Sequence, residues 1–216
     1  MNATASWGNA LWLTRQNHPN LALSNCWNAM PGIDETRPFV PLKIAVLTVS
    51  DTRSPTEDKS GSTLIERIEK AGHVAAARAI VTDDVEKIRG QVRAWIADPT
   101  VDVVITTGGT GFTGRDVTPE ALEPLFEKRM DGFATLFLLV SHVKIGTSAI
   151  QTRATAGVAG ATYIFCLPGS PGACRDAWDE ILVHQLDYRY RPCNFVEIMP
   201  RLDEHLRRPK ATGATV

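Results

Sequence analysis

The run Thr106-Thr107-Gly108-Gly109-Thr110-Gly111 carries the residue types that most directly permit chemistry. Glycine opens backbone dihedrals closed to other residues and lets amide N–H groups approach a ligand closely. Three glycines among hydroxyl side chains at the end of an apolar run therefore describe a cradle for a phosphate-bearing ligand, formed by Thr107, Gly108, Gly109, Thr110 and Gly111. A tight turn with a purely conformational role uses the same residues. No lysine stands where a P-loop requires one, and the glycines do not follow G-x-G-x-x-G. Asp116 follows closely. A carboxylate beside an anion cradle is electrostatically misplaced unless a cation lies between them, and Mg²⁺ takes one or two carboxylates together with phosphate oxygens. The plainer role for Asp116 is to complement the dipole of a helix opened by Thr118-Pro119. Arg115 is suited equally to gripping phosphate and to facing water.

Further candidates stand at other chain turns. Asp83 and Asp84 precede a helical pattern, and a single cap accounts for only one of them, which leaves Asp83 as a second metal or nucleotide contact. Asp51, in Ser50-Asp51-Thr52-Arg53-Ser54, is either a ligand contact or the organiser of an Asx-turn. Lys59 and Ser60 at a helix start suit an anionic tail. Gly169 and Ser170, in Pro168-Gly169-Ser170-Pro171-Gly172, sit at another helix N-terminus. His73, His142 and His184 are scattered and read as structural, Trp95 and Trp178 as core, and no covalent triad is apparent.

The elements that must position these residues alternate between two periodicities. Ile44 to Val49 is a continuous apolar run of the kind a doubly covered parallel strand shows. Leu64, Ile65 and Ile68 recur at helical spacing before Gly72; a strand follows at about Val74 to Val81, and Val85, Ile88, Val92, Trp95 and Ile96 stripe a second helix. Val101 to Thr106 is the third strand. A mostly apolar helix over about Gly132 to Val143, strands over Arg153 to Val158 and Ala161 to Leu167 with a hairpin at Ala159-Gly160, and an amphipathic helix to about Gln185 complete the pattern. Strand and helix alternate as in an α/β fold, a three-layer, doubly wound, mostly parallel sheet with helices on both faces. Right-handed crossovers then gather the loops that follow the strands at one edge of the sheet, where such folds bind ligands.

With 216 residues, 44% hydrophobic and 22% charged, the chain suits one domain, spanning about 41–200, with a tail over 201–216. Residues 1–40, rich in Asn and Trp and without clear period, read as an extension, with 1–29 either disordered or an over-extended translation start ahead of Met30. The net charge of −1 offers no general attraction to nucleic acid or to an anionic membrane. The longest apolar run, Phe133 to Val140, is too short to span a bilayer. Cys26, Cys166, Cys174 and Cys193 form no C-x-x-C pair, as suits reduced thiols in the cytoplasm.

Val49-Ser50-Asp51, the Thr-Thr-Gly-Gly-Thr-Gly loop, Arg115-Asp116-Val117-Thr118-Pro119-Glu120 and Leu167-Pro168-Gly169-Ser170, in that order and at these spacings, resemble the MoaB/MogA family of molybdenum cofactor biosynthesis. The resemblance covers about Pro41 to Pro200. Trp95, Ile145-Gly146-Thr147-Ser148 and Arg191-Pro192-Cys193-Asn194-Phe195 look nearer the MoaB branch. It implies a molybdopterin-binding fold, a homotrimer or a hexamer of two trimers, and an adenylyltransferase. The terminal phosphate of molybdopterin would attack the α-phosphorus of ATP, giving adenylyl-molybdopterin and pyrophosphate, with a molybdenum-insertion protein as a candidate partner. The family's two functional acidic positions fall on Asp83 and Asp116, the candidate Mg²⁺ ligands. A non-catalytic molybdopterin carrier or scaffold, and another phosphate-ligand enzyme on the same fold, are the alternatives.

Overall fold

Strands form where the sequence concentrates short apolar, β-branched runs, and helices where apolar residues recur at three- and four-residue spacing. The computed structural model describes residues 31–207. Gly32–Ile33 forms a short strand (β1) and Lys43–Val49 the first long one (β2). Helix α1 spans Lys59–Lys70, β3 Val74–Val81, α2 Val85–Ile96 and β4 Val103–Thr107. Next come α3 (Thr118–Leu122), β5 (Lys128–Arg129), α4 (Asp131–Ile145), and the hairpin strands β6 (Thr155–Ala159) and β7 (Thr162–Leu167). Helix α5 (Pro171–Ala177) continues through a π-helical turn, Trp178–Leu182, and β8 (Tyr190–Arg191) pairs antiparallel with β1.

The main sheet has the order β3-β2-β4-β7-β6-β5. The pairs β2·β3, β2·β4 and β4·β7 are parallel, while β6·β7 and β5·β6 are antiparallel. The chain leaves β2 through α1 toward β3 and then crosses back through α2 to β4 on the other side. Strand order thus reverses between β2 and β4, and the loops after these two strands diverge there to leave a crevice.

Strand alternation divides the core into two layers. Ile44, Val46, Val103, Ile105, Tyr163, Phe165 and Leu167 pack with Leu64, Ile68, Phe133, Phe137 and Trp178 on one face. Ala45, Leu47, Val49, Val104, Ile164 and Cys166 pack with Ile88, Val92, Trp95 and Leu122 on the other. The expected three-layer α/β architecture is therefore present, and Trp95 and Trp178 are core residues. Cys166 and Cys174 are buried thiols and Cys193 is an exposed one; Cys26 lies outside the described residues.

Two boundaries differ from the sequence reading. β1 lies within the segment assigned to the extension, and Phe39 packs on His73 in a tilted arrangement with ring centroids 5.1 Å apart. Residue 41 therefore marks a point inside the packed chain. At the other end Leu202, assigned to the tail, packs against the core. The expectation for 1–29 lies outside the described residues. Helix α3 is only five residues long, because Pro124 follows and the chain tightens into a 3₁₀ turn, Glu123–Leu125.

Helix α4 is apolar on more than the face it buries. Phe133, Phe137 and Ser141 face the core at four-residue intervals, whereas Leu139, Val143 and Ile145 are 59%, 85% and 58% exposed. Together with the following 3₁₀ turn, Gly146–Gln151, it makes a 21-residue helical stretch whose length and mean hydropathy of 1.5 match a membrane span. The run Phe133 to Val140, interrupted by Thr135, is only part of this stretch. Lys144, near its end, bonds Asp176 at 2.7 Å and Glu180 at 3.0 Å, which fastens the helix to α5 and the π turn.

Candidate functional site

The glycine turn after β4 is held at close quarters by its neighbours. Gly108 has φ +107° and Gly109 φ +63°, both in the region that favours glycine. A Cβ on Gly108 would lie 2.2 Å from the Val49 carbonyl oxygen, so β2 and the turn approach as nearly as backbones can. The hydroxyl of Thr118 donates to the Gly108 carbonyl at 2.8 Å, and the Thr118 amide to that of Gly109 at 3.0 Å. Thr107 is fully buried and its hydroxyl donates to the Pro168 carbonyl at 2.8 Å, so its side chain builds the turn.

The amides expected to form the cradle are not equivalent. That of Gly108 donates to the Leu167 carbonyl at 3.0 Å, and that of Gly111 is directed at the Asp116 carboxylate. The amides of Gly109 and Thr110 make no hydrogen bond to any other described residue. The open donors at the turn are therefore these two, narrower than the five-residue cradle read from the sequence. Thr110 is itself buried, with its hydroxyl 3.3 Å from that of Thr152.

Three carboxylates surround the turn. Asp84 caps α2 by accepting from the Lys87 amide at 2.9 Å, which leaves Asp83 free of that duty. A Cβ on Gly109 would meet the Asp83 carboxylate at 2.9 Å. Asp83 is raised above the usual carboxylate range by burial first, then by the negative charges of Asp51 and Asp116. Asp116 accepts from the hydroxyl and amide of Thr113 at 2.6 and 2.9 Å, and these bonds hold its carboxyl low. Asp51 does not organise the turn expected of it. Ser50, not Asp51, makes the turn by accepting from the amides of Thr52 and Arg53, each at 3.3 Å. Asp51 pairs with Arg115 and accepts the Asp83 amide at 3.1 Å, and the Arg115 bond is the chief reason its carboxyl is lowered.

The remaining candidates converge on the loop after β7. Ser60 donates to the Gly169 carbonyl at 2.7 Å, and a Cβ on Gly169 would lie 3.1 Å from the Gly108 Cα. Ser170 is exposed and caps α5 by accepting from the Ala173 amide at 3.1 Å. Lys59 is exposed at the first position of α1. Among the described residues no group of three or more His, Cys, Asp or Glu side chains is arranged for a metal. Asp83 and Asp116 form a two-carboxylate set crowded with negative charge, which is the donor chemistry of a Mg²⁺ completed by phosphate oxygens and water.

Three supporting residues escaped the sequence reading. Asp58, 1% exposed, caps α1 by accepting from the Gly61 amide at 2.9 Å, and also accepts from Thr48 at 2.7 Å and Arg78 at 2.8 Å. An Asp immediately before the helix start was its visible signal. Arg53 donates to the Gly169 carbonyl at 2.8 Å. Arg153 donates to the carbonyls of Gly111 at 2.9 Å and Asp116 at 2.8 Å and pairs with Glu120, so it ties the loop to the start of α3. Neither arginine had a local signal, because the contacts span 116 and 42 residues of chain.

Known proteins share this sequence and this fold. The profile of a family described as "Probable molybdopterin binding domain" matches residues 45–188. "Molybdenum cofactor biosynthesis protein B" of Escherichia coli (strain K12) is 51% identical over 157 residues, covering 73% of this chain and 92% of that protein. The protein of the same name from Bacillus subtilis (strain 168) is 42% identical over 151 residues, 69% and 89% of the two chains. Among solved structures, one of a molybdenum cofactor biosynthesis protein B superposes with TM-score 0.67 at 36% identity, over 80% of this chain and all of that one. The tungsten cofactor synthesizing protein MoaB from Pyrococcus furiosus superposes with TM-score 0.63 at 32% identity, over 76% and 98%.

Proposed function

This chain belongs to the probable molybdopterin-binding family of molybdenum cofactor biosynthesis, and from that premise we propose that it is a molybdopterin adenylyltransferase. A terminal phosphate oxygen of molybdopterin attacks the α-phosphorus of ATP; the bond from that phosphorus to the bridging oxygen breaks, and pyrophosphate leaves with the electron pair. No protein nucleophile is needed, so catalysis rests on positioning and on charge stabilisation. The free amides of Gly109 and Thr110 hold a phosphate against the turn. Asp83 and Asp116 would hold a Mg²⁺, and that ion would supply neutralisation of phosphate charge.

The observation that carries this reading is the placement of Asp83 against Gly109, where an added Cβ would meet its carboxylate at 2.9 Å, beside the unbonded amides of Gly109 and Thr110. A carboxylate pushed upward by burial and two neighbouring carboxylates, facing open amide donors, is stabilised by a cation shared with an anion. Purified protein incubated with molybdopterin, ATP and Mg²⁺ is expected to yield adenylyl-molybdopterin on chromatography. Asp116→Asn is expected to reduce the rate roughly 100-fold or more. No product from the wild type, or full activity in the variant, overturns the reading; tight pterin binding without product turns it into that of a carrier.

The same reading extends to a homo-oligomer in the cytoplasm, trimeric or a hexamer of two trimers. The exposed Leu139, Val143 and Ile145 face of α4 supports self-association, because its burial against another copy removes apolar surface from water.

A further inference from the structure

Beside the glycine turn lies a second cleft, between the loop that follows β2 and the outer edge strand β3. It has a volume of about 530 Å³, and Ser50, Asp51, Arg53, Arg78 and Thr82 are among its lining residues. That size is within the usual range for small-ligand sites. The cleft adjoins the carboxylates, since Asp51 forms part of its wall and accepts the Asp83 amide at 3.1 Å.

The two arginines in its wall differ in their compensation. Arg78 is neutralised by the buried Asp58 carboxylate at 2.8 Å. Arg53 is half-buried and donates to two neutral acceptors, the Ser60 hydroxyl at 3.2 Å and the Gly169 carbonyl at 2.8 Å. Among the described residues no carboxylate pairs with it. A guanidinium partly removed from water without a counter-charge is unfavourable alone and is relieved by an anion. Its fork holds phosphate oxygens in two-point contact where a lysine offers only a point charge. The Asp51 carboxylate in the same wall is already paired with Arg115, so it does not cancel that charge.

We propose that this cleft binds the diphosphate end of the nucleotide, with Arg53 as its anchor. The assignment rests on the adenylylation reading. In that reaction the bond between the α-phosphorus and the bridging oxygen breaks, and the electron pair stays on the departing pyrophosphate. Arg53 is then placed to stabilise the charge that gathers on the leaving group, while the turn at Gly109 and Thr110 holds the other phosphate.

Calorimetric titration with magnesium pyrophosphate tests the proposal on the wild type, Arg53→Gln and Arg53→Lys, with molybdopterin titrated in parallel. The wild type is expected to bind pyrophosphate, and Arg53→Gln to bind it at least about tenfold more weakly, the scale of a lost charged hydrogen bond. Molybdopterin affinity is expected to fall less than pyrophosphate affinity, because Ser60 still bonds Gly169 directly. Arg53→Lys keeps the charge without the fork and is expected to fall between the two. Absence of pyrophosphate binding in the wild type, unchanged binding in Arg53→Gln, or a loss confined to molybdopterin overturns the assignment. So does a lysine variant as weak as the glutamine one, because that is the mark of a residue that merely braces Ser60 to Gly169. Pyrophosphate binding without any adenylylated product refutes the reaction but upholds the anion site, whereas undiminished product from Arg53→Gln refutes the site alone.

Discussion

At the scale of single residues, Asp83 is held where its ionised form costs the ligand-free protein stability. Its folded-state pKa is raised, by burial and then by Asp51 and Asp116, so at neutral pH the unfolded chain carries the charge more readily than the folded one. The stability this group contributes is complete below its unfolded pKa and is lost as pH rises through the folded one. Asp83→Asn is therefore expected to raise the thermal midpoint of the ligand-free protein slightly at neutral pH, solvent screening keeping the gain below about 1 kcal/mol, while abolishing adenylylation. A lowered midpoint in scanning calorimetry argues against the charge crowding. Gly109→Ala makes the opposite case. With φ at +63°, and a Cβ that would lie 2.4 Å from the Thr118 hydroxyl and 2.9 Å from the Asp83 carboxylate, it is expected to cost about 1–2 kcal/mol from the left-handed backbone alone. Displaced amides should also weaken phosphate binding, and denaturant melts paired with titrations separate the two effects.

At the scale of elements, His73 closes the turn between α1 and β3. It is buried between Phe39 and Trp178, and its Nδ1 accepts the Leu42 amide at 3.1 Å. Burial lowers its pKa from the ordinary 6.5, with the charge of Asp187 acting against that shift. As pH falls through 6.5 the unfolded chain takes up the proton first, so stability is expected to decline below that point. Urea midpoints compared at pH 7.5 and 5.5 check this, and His73→Gln should flatten the decline. Helix and strand placement was legible because apolar period alone carries it: β3 and α2 begin and end where the sequence reading placed them. The glycine turn and the Asp83/Asp84 division of labour were legible for the same local reason. The commitment of the Gly108 amide to Leu167, and the bracing by Arg53 and Arg153, were not, because each joins segments far apart in the chain and leaves no period behind.

At the scale of the whole molecule, α4 presents an apolar surface that the described chain leaves uncovered. Leu139→Glu together with Val143→Glu is expected to shift an oligomer to monomers in light scattering, with little effect on the fold, because both side chains are more than half exposed. A monomeric wild type, or an unaltered mass in the double variant, counts against self-association through this helix. The loop at residues 168–172 has a wider consequence. Thr107, Gly108, Arg53 and Ser60 all bond to Leu167, Pro168 or Gly169, so the ligand turn is propped by a segment translated well after it. A polypeptide ending at residue 160 would contain Gly108, Gly109, Gly111, Asp51, Asp83 and Asp116, yet its turn would lack a buttress. Competence to bind thus waits on synthesis of residues 167–169.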